Sequence, residues 1–146
     1  MNPSTNQSAM QASSLVAYLL RTHPKQSALD ASKLSQAMLA LAACSGACTF
    51  CADACLSEEM VAELRRCIRL NLDCATICAA TASVLVRGAA EPQQSVLRPQ
   101  LEACAAACAA CGEECSRHAQ MHEHCRICAE VCRTCEGACR QLIGSL

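Results

Sequence analysis

The sequence predicts an all-α fold: an antiparallel up-down-up-down four-helix bundle with a short N-terminal helix. Three observations carry this. Residues that favour strands are scarce: the 146 residues include one Tyr, one Phe and no Trp, while Ala, Leu, Glu and Arg fill the long stretches. Four prolines and five glycines leave few places where a helix must break. Most tellingly, the 16 cysteines recur in steps of four and three within four segments. A helix turns about 100° per residue, so alternating these steps keeps every thiol within one narrow stripe. Cysteine thus occupies the positions where a bundle helix normally carries leucine.

The chain divides into residues 1–27, a polar tail with a short helix, and residues 28–146, a four-helix bundle with a cysteine-lined core. Residues 1–9 are polar enough to stay disordered. Residues 10–22 read as an amphipathic helix that stops before Pro24. Helix one is expected from about Ser27 to Ala54, with Leu34, Met38, Leu41, Cys44, Cys48, Cys51 and Cys55 on its inner stripe. Ser57, Glu58 and Glu59 read as the capped, acidic start of helix two. That helix carries Met60, Leu64, Cys67, Asn71, Cys74, Cys78, Thr81 and Leu85 inward and stops at Gly88. Asn71 stands where the pattern asks for another cysteine. Residues 88–95 are the clearest loop.

Helix three is expected from Pro92 or Ser95 to Gln120, with Leu97, Leu101, Cys104, Cys108, Cys111, Cys115 and His118 inward. Pro99 is tolerable only in its first turn. Helix four starts near His122 and reaches about Leu142, with Cys125, Cys128, Cys132, Cys135 and Cys139 on its stripe. That stripe alone covers about 21 Å at 1.5 Å per residue. Antiparallel packing gathers Leu34, Leu41, Leu85, Leu97, Leu101 and Leu142 at one end. It gathers Cys55, Cys67, Cys115, His118, Met121, His122, His124 and Cys125 at the other. The expected object is a thiol-lined tube, plugged with leucine at one end and rimmed by soft or nitrogen ligands at the other.

Composition narrows the function. The net charge is −1 and the basic residues are scattered, so no nucleic-acid footprint exists. No apolar run is read as reaching membrane-span length, and the start, MNPSTNQSAMQASS, lacks the basic and apolar regions of an export signal. The expectation is therefore a cytoplasmic chain whose thiols stay reduced. Disulfides would need an oxidising compartment and paired geometry, and a continuous file of equivalent thiols offers no obvious pairing. Cysteines serving only as small core hydrophobes would not be confined to one stripe.

Metal binding is left, and charge selects the metal. A zinc ion with four thiolates carries −2, so four such sites would leave about −8 in an apolar tube. Mid-helix N–H groups are already used in the helix ladder and cannot offset it. Iron–sulfur clusters carry the same excess and favour loop cysteines. Cu(I) is monovalent and soft, and with bridging thiolates on the order of one ion per cysteine neutralises the lumen. Pairs such as Cys44/Cys48, Cys74/Cys78, Cys104/Cys108 and Cys135/Cys139 stack thiols one turn apart, which suits two-coordinate binding. The candidate ligands are all 16 cysteines, with His118, Met121, His122 and His124 as exchangeable ligands at the open end.

These stripes and the His/Met rim resemble the copper storage proteins, the Cys-lined four-helix bundles of bacteria, over about residues 28–143. The lack of an export signal makes the chain similar to the cytosolic branch. The resemblance implies many Cu(I) ions inside each bundle, a homotetramer of bundles and no catalytic centre. It leaves room for a copper donor or acceptor protein or small thiol, with no nucleic-acid or membrane partner. Asn71 departs from an ideal stripe and puts the local copper count in question. The alternatives are a zinc or iron–sulfur binding module, or a thiol redox protein, which would need one activated, partly exposed thiol.

Overall fold

Asp30 sets the start of the first bundle helix. Its backbone is extended and its Oδ1 accepts the Lys33 N–H at 2.8 Å, satisfying one of the free donors of the first turn. In the computed structural model, which describes residues 15–88 and 94–146, this helix runs Ala31–Leu56 (α2) and follows a short helical segment at residues 15–22 (α1). A 3-10 turn at Val61–Leu64 leads into α3, Arg65–Gly88. The bundle is completed by α4, Gln94–Arg117, and α5, Glu123–Gly144. The described residues contain no strand. The polar tail, the first half of the expected 10–22 helix and most of the 88–95 loop lie outside the described residues.

The four long helices form a ring in which α2 packs on α3 and α5, and α4 packs on α3 and α5. Sequential helices are neighbours and the last returns to the first, which is the up-down-up-down four-helix bundle. Its closed end holds Leu34, Leu41, Leu85, Leu97, Leu101 and Leu142, each at most 1% exposed. Burying such a side chain is worth roughly 1.5–3 kcal/mol. Leu20 of α1 and Met38 are partly buried and pack against the core.

Several boundaries differ from expectation. Ser57 does not open helix two; it is the C-cap of α2, its backbone N–H bonding Ala54 O at 3.0 Å. The chain turns through residues 58–60, and the next α-helix begins only at Arg65, so Met60 is exposed rather than packed in the core. Ser-Glu-Glu satisfies the composition of an N-terminus, but the stripe of α2 extends to Cys55 and carries the helix through it. Pro99 lies in the second turn of α4. Ser95, whose carbonyl it leaves without a helical donor, is exposed to solvent, which makes the position tolerable. Ala31–Leu56 and Val61–Gly88 are also long and apolar enough to cross a membrane by length and composition, contrary to the reading of the sequence. In the first, alanine and the cysteines that face the bundle interior supply much of the apolar character; in the second, leucine, isoleucine and valine supply most of it.

Candidate metal centre

All 16 cysteines are free and buried, none more than 1% exposed. Their phasing explains this: each stripe faces the axis, and the leucine layer below and the helix connections above close the ends. The sulfurs lie side by side. Cys44 Sγ is 3.8 Å from Cys48, 3.9 Å from Cys74, 4.0 Å from Cys108 and 3.8 Å from Cys132, reaching all three other helices. Cys48 continues to Cys111 at 3.9 Å and Cys128 at 3.7 Å. Toward the plug, Cys78 meets Cys104 and Cys108 at 3.7 Å each. Toward the other end, Cys67 meets Cys115 at 3.7 Å, and Cys125 meets Cys51 at 3.9 Å and Cys55 at 4.0 Å. A disulfide needs about 2.05 Å. These separations suit sulfurs converging on an ion about 2.3 Å from each.

The ligand sets overlap. Cys44/Cys78/Cys108/Cys135, Cys44/Cys48/Cys74/Cys132 and Cys48/Cys111/Cys128/Cys132 each bring four sulfurs within 4.8 Å of one another. Sharing Cys44, Cys48 and Cys132 makes them one continuous file rather than separate sites. Cys51/Cys67/Cys115 and Cys51/Cys55/His124/Cys125 form the end opposite the plug. A thiolate that belongs to two sets can bridge two soft monovalent ions.

Asn71, fully buried in the thiol stripe of α3, is a junction. Its Nδ2 donates to the Cys67 carbonyl at 2.8 Å and to the sulfurs of Cys67 at 3.3 Å and Cys115 at 3.4 Å. Its Oδ1 accepts from Cys128 at 3.0 Å and Cys111 at 3.4 Å. The carboxamide therefore takes the space of a missing cysteine and orients four neighbouring thiols.

The four predicted rim ligands are placed differently from one another. Of the three rim histidines, His124 reaches the sulfurs: Nδ1 lies 3.4 Å from Cys51 Sγ and 3.5 Å from Cys125 Sγ. His122 stacks on His124 with ring centroids 5.4 Å apart. His118 pairs through Nε2 with Glu114 Oε1 at 3.2 Å. Met121 is 68% exposed.

Two carboxylates were missed. Glu58 Oε1 lies 2.9 Å from His124 Nε2 and 3.1 Å from His122 Nδ1. Glu114, only 6% exposed, takes Arg66 Nε and His118 Nε2, each at 3.2 Å, and so ties α3 to α4. Glu114 sits beside Cys115 in a GEEC run, which was the available signal. Glu58 has the sequence context of a helix start, and its partners are more than sixty positions away.

The thiols differ in their readiness to ionise. Burial, then the neighbouring Cys125, pushes Cys55 up to about 12. Hydrogen bonds to Cys111 and Cys104 respectively, with burial adding, hold Cys48 and Cys108 above the usual thiol range. At the rim, hydrogen bonds from Cys51 and Cys67 lower Cys125 to about 2. Cys115 is lowered to about 5, its bond to Cys111 foremost. The His124 hydrogen bond, first among several causes, holds the Glu58 carboxyl below its usual range. Hydrogen bonds between neighbouring thiols set the direction in both regions: they lower Cys44 and Cys74 in the interior and raise Cys51 at the rim, so a soft metal meets some anionic sulfurs and must displace protons from the others.

Comparison with known proteins bears on this geometry. Residues 30–144 match the family model described as "Copper storage protein". The copper storage protein Ccsp from Streptomyces lividans, solved with 10 copper equivalents, superposes with a TM-score of 0.86 at 52% identity, covering 90% of this chain and 99% of that one. A Cu(I)-bound copper storage protein, BsCsp3, superposes at 0.65 with 35% identity, covering 73% of this chain and 93% of that one. An uncharacterised cysteine-rich protein of Bacillus subtilis, YhjQ, is 37% identical over 87 residues, which is 60% of this chain and 74% of that protein.

Proposed function

The chain belongs to the copper storage protein family, and from that premise we propose that it stores and buffers cytoplasmic Cu(I), holding on the order of one ion per cysteine. The observation that carries the reading is the crowd of buried sulfurs, neighbours 3.6–4.0 Å apart, that form overlapping sets of four in the interior and, across the Asn71 junction, further sets around Cys51 at the rim. Storage demands many equivalent, exchangeable sites; catalysis demands one distinguished site. The file supplies the first, and the role is non-enzymatic. Copper loads at the end formed by Cys51, Cys55, Cys125 and His124 and moves inward by ligand exchange between neighbouring sulfurs. His118, Met121 and His122 form the outer approach to that end. The bundles assemble as a homotetramer, and a donor or acceptor protein or small thiol exchanges copper at the rim.

Metal analysis tests this directly. Protein purified without oxygen from cells grown separately with added copper, zinc or iron should carry copper in large excess over the other metals. Stoichiometric zinc, or the brown colour of an iron–sulfur cluster, would overturn the proposal.

A further inference from the structure

His124 is the link between solvent and sulfur at the rim, and its two ring nitrogens face different partners. Nε2 points to the Glu58 carboxylate at 2.9 Å, and Nδ1 points to the Cys51 and Cys125 sulfurs at 3.4 and 3.5 Å. We propose that Glu58 is a positioning residue for copper loading: it fixes the tautomer and aim of His124, and clamps His122 beside it. The proposal rests on the Cu(I) storage reading and adds to it a residue that touches neither copper nor sulfur.

A carboxylate oxygen can only accept. A neutral imidazole carries one N–H and one lone pair. Pairing Nε2 with Glu58 therefore places the N–H on Nε2 and the lone pair on Nδ1, facing the file. In the empty protein the Cys51 thiol donates to that lone pair, and the Cys125 sulfur lies beside it. An incoming soft cation displaces the Cys51 proton to solvent and meets Nδ1 and the two sulfurs together, within the set Cys51/Cys55/His124/Cys125. With Glu58 absent, the proton is free to sit on Nδ1, where it blocks the lone pair.

Glu58 also determines where the ring sits. It comes from the turn between α2 and α3, whereas His122 is the N-cap of α5 and His124 lies in its first turn. The same oxygen, Oε1, takes both histidines, and their rings stack with an interplanar angle of 24°. The clamp spans two connections that no backbone hydrogen bond joins among those described. Removing an outer hydrogen-bond partner of a metal-binding histidine typically costs 10–100-fold in affinity or activity.

The test uses the full reduced chain. In the copper-free protein labelled with ¹⁵N-histidine, two-bond ring correlations should report His124 as the Nε2–H tautomer. Glu58→Ala should shift it toward Nδ1–H. Glu58→Gln should restore Nε2–H, because the amide oxygen still accepts. In stopped-flow loading from a weak Cu(I) chelate, Glu58→Ala should slow uptake by about tenfold or more, and Glu58→Gln should recover most of that loss. In a His124→Ala background, Glu58→Ala should add no further slowing. Uptake by Glu58→Ala at the unmodified rate would overturn the proposal. So would an unchanged tautomer, or equal slowing in the His124→Ala background. Saturation of the unmodified chain at a few ions would instead defeat the storage reading, while the tautomer result still judges Glu58.

Discussion

Asn71 shows what a single residue does inside the file. Its four sulfur contacts and its bond to the Cys67 carbonyl fill every capacity of the carboxamide but leave no slack. Asn71→Ala should destabilise the copper-free protein by about 1–3 kcal/mol in urea unfolding, from lost hydrogen bonds and a small cavity. An unchanged midpoint would mean that the junction contributes nothing. The rim histidines make a second case. His118→Ala together with His122→Ala should slow copper uptake or release and leave capacity almost unchanged, because their rings pair with the Glu114 and Glu58 carboxylates rather than with sulfur. A large loss of capacity would make them storage ligands. The sequence drew attention to His118 and His122 through their step of four. It could not rank His124 above them, because that ranking depends on where α4 ends, at Arg117, and on α5 starting just after His122.

The elements were legible because cysteine phasing fixes which face of each helix turns inward. The connections were not, because Ser57 with two following glutamates has the composition of a helix start and in fact closes α2. Helix packing yields a sharper prediction at this scale. A Cβ on Gly112 would lie 3.3 Å from Cys132 Cβ and 3.6 Å from the Ala129 carbonyl, so α4 and α5 approach closely there. Gly46 and Gly137, also mid-helix, have nothing within 4 Å. Gly46→Ala and Gly137→Ala should each stabilise by about 0.5–1 kcal/mol through helix propensity. Gly112→Ala should lose that gain to overpacking, which costs about 1–3 kcal/mol, and end destabilised. Thermal unfolding of the three variants checks the order; equal stabilisation by all three would refute the close approach.

For the whole molecule, the decisive quantity is the charge of the lumen. Fully ionised and empty, it would gather many negative sulfurs in an apolar tube, so most thiols hold their protons and copper must displace them. Cys55, pushed up to about 12, is protonated at neutral pH and releases its proton when it becomes a ligand. Raising pH lowers the proton concentration that competes with the metal, so Cu(I) affinity should rise between about pH 6 and about pH 8. A competition titration against a chelator at each pH measures this; a flat profile would show that bound sulfur was already ionised. Copper bridging all four helices should also raise the unfolding temperature progressively with loading, since it binds only the folded bundle well. The most direct test of the central claim is an anaerobic titration of the reduced chain with Cu(I), counting bound ions at saturation. A continuous store predicts a capacity approaching one Cu(I) for each of the 16 cysteines. Saturation at about four ions or fewer per chain would contradict it, because overlapping sets filled one at a time would then be isolated sites.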